Sequence, residues 1–484
     1  MELVEDSRPP REAEDTGEGL GFVEGLRRAY SLDLRALAAM RVAVGLVLLA
    51  DLGLRSRDLV AHYTEAGWWP RGLSVWSVYD LAGSPAAVAA LFGLAALCAL
   101  AQVVGFQTRI ATALSFLLVV SLQHRNPFVI QAGDIFLRVI LFWAIFLPWG
   151  ERWSWDARGK PAPAAPRVFG AATVAYVVQF QLVYVYGGLL KSGDSWLSGD
   201  AVYYALHAEH VALPFAHVLA RLPLGVLRAA NYAVLVFEVL GPLLLVSPWR
   251  RRTCRLAAMA GLLLLQLGFG TSFGVGLFPW ISTAVMLGLY PGRDEAAVST
   301  PPLPRFPRAS SGVLLGLLGL VFLLNLSTAF RFVPFPKPLS RVILFTGLSQ
   351  KWEMFAPNPP NASKWHAVVA YDAEGHGWDL LRGAPADLWT EPADFGALHH
   401  SYRERKLYEQ LSELTAPITL RESFARWACD QREGTTRVEL VEMTRPTSPP
   451  GEPGQRPITG LRRFGRDCLA GTFEVMLRRL EPGG

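Results

Sequence analysis

Apolar runs of about 20 residues, the length a helix needs to cross the hydrocarbon core of a bilayer, recur along this chain between residues 30 and 330. Inside hydrocarbon every backbone N–H and C=O must be paired within its own segment, so runs of this kind fold as helices packed into a bundle. Candidate spans lie at 35–54, 86–104, 108–122, 134–149, 168–190, 228–247, 255–270, 273–290 and 311–330. Nine spans are expected. Eight is the alternative, because the segments 255–270 and 273–290 are parted only by GTSFG and read as a tight hairpin or as one broken helix. Composition agrees: 18% of the 484 residues are charged, against about 25% in ordinary soluble domains, and the deficit falls in the apolar part. The fold class expected is an all-α polytopic membrane bundle of about 8–9 transmembrane helices plus a small α+β extracytoplasmic C-terminal domain.

Orientation follows from the positive-inside rule. With the N-terminus in the cytoplasm and nine spans, roughly 16 Lys and Arg fall inside, among them Arg27, Arg28, Arg167 and the run Arg250–Arg252, against 6 in the short outer loops. This predicts a multi-pass protein of the cell inner membrane with its C-terminal domain outside. Residues 1–30 mix acids and bases without an apolar core and read as a cytoplasmic, disordered leader, not a signal peptide. The membrane domain is expected over 31–333 and the outer domain, with disordered tail segments, over 334–484. The net charge of +5 comes with no basic helix or nucleic-acid motif, so it reads as loop charge, with the lipid bilayer as the partner and no nucleic acid.

The C-terminal part has ordinary soluble composition. Val368–Tyr371 and 436–443 read as strands, and 402–415 and 418–432 as helices. Four cysteines are too few for a disulfide scaffold. Cys429 and Cys468 both fall in this outer part, where a disulfide is permitted but not dictated by the sequence.

Ionisable groups inside spans are expensive and therefore draw attention. Arg41, Asp51, Asp134, Arg138, Lys191 and Glu238 form this set. Asp134 and Arg138 stand four residues apart on one helix face and read as a structural ion pair. Arg41 and Glu238 are expected to find partners inside the bundle, and Asp51, near a span end, reads as wet. Lys191 follows Gly187 and Gly188, which let backbone or a ligand approach. A lysine at the edge of an apolar cavity favours the neutral amine and can act as a base. The competing reading is a lysine reaching the interface beside an anchoring Trp196. His62, His124, His207, His210 and His217 read as surface or interfacial groups. The His207–His210 pair lacks a third ligand, so no metal site is expected.

Five stretches carry a resemblance: LRALAAMRVAVGLVLLADLGLRSRDLVAHYTEAGWWPRG (34–72), RNPFVIQAGDIFLRVILFWAIFLPWG (125–150), YVYGGLLKSGDSWLSGDAVYYAL (184–206), GVGLFPW (274–280) and QKWEMFAPNPP (350–360). In order and spacing the chain resembles the HTTM (horizontally transferred transmembrane) domain family, bacterial relatives of the vitamin K-dependent γ-carboxylase, over roughly 30–445. The resemblance implies that Lys191, five residues before Trp196, matches the proposed catalytic base, which deprotonates reduced vitamin K or a related quinol. It further implies a secreted peptide substrate and a site lined by Tyr184, Tyr186, Trp196, Tyr203 and Tyr204. Two histidines of the animal enzymes correspond to Asp134 and Gln266 here, and the C-terminal domain is much shorter. Three readings follow: a quinol-coupled carboxylase-like enzyme, a non-catalytic accessory protein for maturation or export of a secreted peptide, and, last, a transporter, for which no internal repeat speaks.

Overall fold

The structure, a computed structural model, describes residues 24–163, 165–292, 298–299, 308–330, 332–452 and 454–481. The leader up to residue 23 and most of the stretch 291–310, rich in proline and charge, lie outside the described residues.

Helices stand in each expected span: α1 Leu34–Ser56, α2 Pro85–Val104, α3 Thr108–Arg125, α4 Ala132–Ala144, α5 Ala171–Leu189, α6 Leu224–Leu240, α7 Arg251–Ser272, α8 Phe278–Met286 and α9 Arg308–Ala329. Six of these segments are long and apolar enough to cross a membrane: α1, α2, α5, α7, α6 extended to Val246, and Ser311–Ala329 within α9. The other three are more polar (α3) or too short (α4, α8) to meet that standard alone, and they pack among the six. The break between 255–270 and 273–290 is a hairpin turn, since α7 ends at Ser272 and α8 begins at Phe278.

Local chemistry fixes the helix ends. The Asp33 side chain caps α1 by accepting from Arg35 N and Ala36 N. The C-terminus of α2 runs into Gly105 at φ +76°, where an added Cβ would stand 2.3 Å from Ser154 Cβ and 2.6 Å from Arg41 Nη1. That close approach, with the left-handed conformation, requires glycine. Fully buried Arg41 is held by backbone: its guanidinium donates to the carbonyls of Gln102, Val103, Trp149 and Trp153, satisfying orphan groups at a helix end. The core between α4, α5 and α8 is aromatic and aliphatic, with Phe136, Ile140, Trp143, Tyr176, Phe180 and Val183 fully buried.

A short amphipathic helix, α10 (Lys337–Phe345), leads into the C-terminal domain. Its sheet comprises β1 Ala362–Tyr371, β2 Gly377–Asp379, β3 Ala384–Pro385, β4 Arg437–Pro446, β5 Thr459–Asp467 and β6 Phe473–Leu480, antiparallel throughout in the order β3-β2-β1-β4-β5-β6. Alternation along β1 and β4 serves two faces. Val368, Ala370, Val438 and Leu440 meet helices α11 (Tyr402–Ser412) and α12 (Ile418–Cys429) through Leu411, Leu420 and Phe424. Trp365, Ala367, Val369, Val441 and Met443 meet Leu388, Trp389 and Phe395 on the other face. The domain is thus the α+β unit the sequence suggests, with β2, β3, β5 and β6 as strands the sequence reading did not place.

Cys429 and Cys468 form a disulfide with Cα atoms 5.7 Å apart, tying the end of α12 to the turn between β5 and β6 across 39 residues. A closed loop of that size stabilises by about 4 kcal/mol in the chain-entropy account. Reduction, or Cys429→Ser with Cys468→Ser, is expected to lower the unfolding temperature of the purified protein, most sharply for the signal reporting on the outer sheet; an unchanged transition under reducing agent speaks against it.

Candidate functional site

Helix α5 ends at Leu189, and two residues later Lys191 turns back into the protein. Only 3% exposed, its Nζ is ion-paired with Glu238 of α6, itself 2% exposed, and donates to Gly187 O at 3.2 Å. The ammonium also lies 5.4 Å above the Trp196 ring, in cation–π range. So the lysine does not reach out to the interface, nor does it stand alone in an apolar pocket. Gly188 makes the pair possible: a Cβ there would sit 2.7 Å from Val239 Cγ2 and 3.2 Å from Glu238 Cβ, so α5 and α6 touch backbone to side chain. Gly187 is buried, and a Cβ there would stand at ordinary contact distance, 3.9 Å from Trp352 O and 4.0 Å from Met354 Cε, so this side of the helix packs against the segment that follows α10.

Tyr184 lies on the same face of α5, two turns or roughly 10 Å along the axis from Lys191. Its hydroxyl contacts Ser282 Oγ of α8 and accepts from Gln266 Nε2 of α7 at 2.7 Å. Gln266 Oε1, buried, has no hydrogen-bond partner among the described residues. Trp196 donates from Nε1 to Phe355 O at 2.8 Å, which ties the lysine's aromatic neighbour to the segment opening the C-terminal domain. Phe355 takes φ +56°, a left-handed conformation that costs a non-glycine residue roughly 1–2 kcal/mol. The remaining tyrosines are not gathered here. Tyr186 packs edge-on against Phe322 of α9, and Tyr203 stacks on His207 while its hydroxyl donates to Ser448 O. Tyr204 meets Tyr203 edge-on.

The other intramembrane charges rearrange the sequence picture. Asp134 makes its ion pairs elsewhere than at Arg138, with Arg55 at 2.6 Å and with Arg403 of the C-terminal domain at 2.7 Å. Arg138, one turn deeper, donates to Gln123 Oε1 at 2.7 Å and to Ser349 O. Asp51 is not wet but 4% exposed, held by Arg55 at 2.7 Å and Arg403 at 2.6 Å. Two acids and two arginines thus form a closed, neutral cluster at the join of the two domains. Nothing in YRERK (402–406) distinguishes Arg403 from the charged residues beside it, so sequence reasoning missed it. His62 and His124 are likewise buried, not superficial: His62 Nδ1 accepts from Trp68 Nε1 at 2.9 Å, and His124 Nδ1 lies 3.1 Å from Trp76 O.

Between the bundle and the C-terminal sheet is a cavity of about 990 Å³. Its floor is apolar, with Ile135, Phe269, Phe278, Met354 and Phe355, and its roof carries His210, His366, His399, Arg405, Glu409 and Glu442. Neither Lys191 nor any of the five aromatic candidates lines it; Met354 and Phe355 stand between. Burial pushes His210 down to about 4 and His399 to about 3, with the Arg405 charge acting in the same direction. Burial alone would raise Glu442, but contact with His366 and the charge of Lys364 outweigh it and hold the carboxyl well below its usual range. Both histidines are therefore neutral in the folded state near neutral pH. Because the folded chain binds fewer protons than the unfolded one between about pH 4 and an unperturbed 6.5, stability is expected to fall as pH drops through that window. The unfolding temperature should decline from pH 7 to pH 5, and His210→Gln with His399→Gln should flatten the slope; an equally steep slope in the double variant rejects the assignment.

Among known proteins, the HTTM domain model matches residues 30–291. The chain belongs to the HTTM domain family. The match spans every helix from α1 to α8 and includes Lys191, Trp196, Glu238 and Gln266. No curated protein and no solved structure matches the HTTM chain. Family membership and six apolar helices of spanning length make it a membrane protein.

Proposed function

We propose that this HTTM protein is a quinol-coupled, carboxylase-like membrane enzyme that modifies a secreted peptide, with Lys191 as the base. What carries the reading is the buried Lys191–Glu238 pair beside Trp196, at the lysine position the family resemblance singles out. A reduced quinone of the vitamin K type would, with oxygen, supply the strong base that takes a proton from glutamate so that carbon dioxide can add. The residues present fit such a group: an aromatic wall (Trp196, Trp352) and, among the described residues, an unsatisfied Gln266 Oε1 beside Tyr184. Lys191 would accept the proton of a bound hydroxyl at Nζ. Glu238 makes this workable, because in a dry site the resident ammonium proton can pass to its carboxylate and leave Nζ with a free lone pair. The cavity under the outer sheet would admit the peptide, with Met354 and Phe355 as the partition between the two sites.

The topology proposed is nine crossings of the cell inner membrane, with the outer domain extracytoplasmic. Two observations support it. The Cys429–Cys468 disulfide suits an oxidising compartment. The arginines counted as inside, Arg28, Arg167, Arg251, Arg252 and Arg255, converge on one pocket, while Asp51 and Asp134, counted near outer ends, meet Arg403. The domain division at about 31–333 and 334–484 belongs to the same proposal.

The test is expression of the wild-type protein and Lys191→Gln beside a candidate secreted peptide, followed by mass spectrometry of the peptide. Carboxylation that appears with wild type and falls at least about 100-fold with the variant supports general-base catalysis. Equal modification by both, or none by either while secretion still depends on the protein, favours the accessory reading. The closed ion pair around Lys191 is the observation on that side.

A further inference from the structure

Helix α9 ends at Ala329, and the chain then forms α10, Lys337–Phe345, before it enters the C-terminal domain. The sequence of α10, KPLSRVILF, carries two cations, Lys337 and Arg341, and no acid. Only one side of the helix is packed. Ile343 is 2% exposed, whereas Val342, Leu344 and Phe345 are 44%, 42% and 62% exposed. At about 100° per residue, Val342 and Phe345 lie within about 60° of each other, on a side that Ile343 does not share. The helix thus turns apolar side chains away from the protein.

The place of α10 in the bundle indicates what meets that face. Trp76, in the loop that joins α1 to α2, donates from Nε1 to Phe345 O at 2.8 Å, with the two rings 6.1 Å apart. The Trp76 ring also meets His124 edge-on at 5.1 Å, and His124 is the last residue but one of α3. So α10 lies at the end of the bundle where α1 stops, α2 starts, and α3 and α9 stop. Helices α1, α2 and α9 carry segments of spanning length and hydropathy, which puts this end at a boundary of the bilayer. The same α1–α2 loop exposes Leu73 (57%) and Val75 (52%), and Phe332, between α9 and α10, is 83% exposed. A single exposed apolar side chain needs no explanation, but apolar groups gathered from two distant segments at one level do. At a bilayer boundary the partner at hand is lipid. A short helix with an apolar face, two cations and a tryptophan beside it has the make-up of an element that lies in the headgroup region. Just past α10 the chain is pinned to the bundle, since Arg138 of α4 donates to Ser349 O.

We propose that α10 and the loop at Leu73–Trp76 form an interfacial anchor, with Val342, Phe345, Leu73 and Val75 set about 5–10 Å into the headgroup–acyl boundary and Lys337 and Arg341 reaching back to the headgroups. The partner is the lipid surface, and the anchor fixes the height of the C-terminal domain against the membrane. It is separate from Lys191 and does not rest on the reaction proposed there. The test places one environment-sensitive fluorophore at a time on the full-length protein in phosphatidylcholine–phosphatidylglycerol vesicles. Cys98→Ser with Cys254→Ser leaves only the disulfide cysteines as background. Phe345→Cys and Leu73→Cys report on the anchor, Leu264→Cys (73% exposed, in the middle of α7) on the hydrocarbon core, and Glu433→Cys, in an exposed turn, on water. The quenchers are aqueous iodide and lipids bearing a nitroxide either high on the acyl chain or near its end. The labels at Phe345 and Leu73 are expected to be shielded from iodide and to lose more emission to the high nitroxide than to the low one. The Leu264 label should show the reverse order of the two nitroxides, and the Glu433 label should respond to iodide alone. Iodide quenching at Phe345 and Leu73 equal to that at Glu433 overturns the anchor. Shielding from iodide and from both nitroxides overturns it as well, because a second copy or another protein then covers the face.

Discussion

Replacing Arg403 with Leu is expected to cost about 3–5 kcal/mol, the usual penalty for removing one partner from a buried ion pair. Arg403 is 1% exposed and bridges Asp51 and Asp134, which otherwise share Arg55 alone. Its loss leaves two carboxylates and one guanidinium in a site closed to water, a net negative charge with nothing to answer it. The remedy for that charge is specific. Asp51→Asn in the Arg403→Leu background returns the cluster to Arg55 and Asp134, neutral again, and should recover a large part of the loss. The measurement is thermal unfolding of the full-length protein in detergent, with limited proteolysis of the outer domain as a second reading. If Arg403→Leu unfolds at the wild-type temperature, the cluster does not hold the two domains together. If Asp51→Asn worsens the single variant, charge balance is not what matters there.

How much of this was legible beforehand varies with the range of the interaction. Helices were legible because each apolar run must satisfy its own backbone, a local rule that sequence carries in full. The Asp134–Arg138 pairing failed for a reason that is also physical. Spacing of four residues puts two side chains on one face, but it does not choose between partners. Asp134 sits in the first turn of α4, where it accepts from Gln131 N at 2.7 Å, and there Arg403 arrives from 269 residues away. Arg138 is left to meet Gln123 and Ser349. Lys191 and Glu238 were each recognised as costly intramembrane charges, yet their pairing across 47 residues was invisible because it depends on how α5 and α6 touch at Gly188. Strands β5 and β6 were missed because TGLRRFGRD and FEVMLRRL are rich in arginine, and the sheet tolerates that near an edge where one face is wet. The roof of the interdomain cavity gathers His210, His366 and His399 from three separate segments, and no spacing rule reports that.

The Lys191–Glu238 pair permits a second prediction of the same size, and one that separates structure from chemistry. Each single neutral replacement, Lys191→Met or Glu238→Leu, strands an unpaired charge in a site less than 4% exposed and is expected to cost about 3–5 kcal/mol. The double variant removes both charges and refills the space with apolar groups of similar volume. A buried pair replaced in this way is often neutral or better for stability, so the double variant should unfold within about 1.5 kcal/mol of wild type. A purely structural pair would let that stable double variant support whatever the protein does in the cell. A base at Lys191 would not: modification of the secreted peptide should be lost in both singles and stay lost in the double, although the fold has recovered. The discriminating outcome is a stable double variant assayed beside wild type. Activity returning with stability removes Lys191 from the chemistry, and stability returning without activity leaves the lysine with no role that packing alone explains.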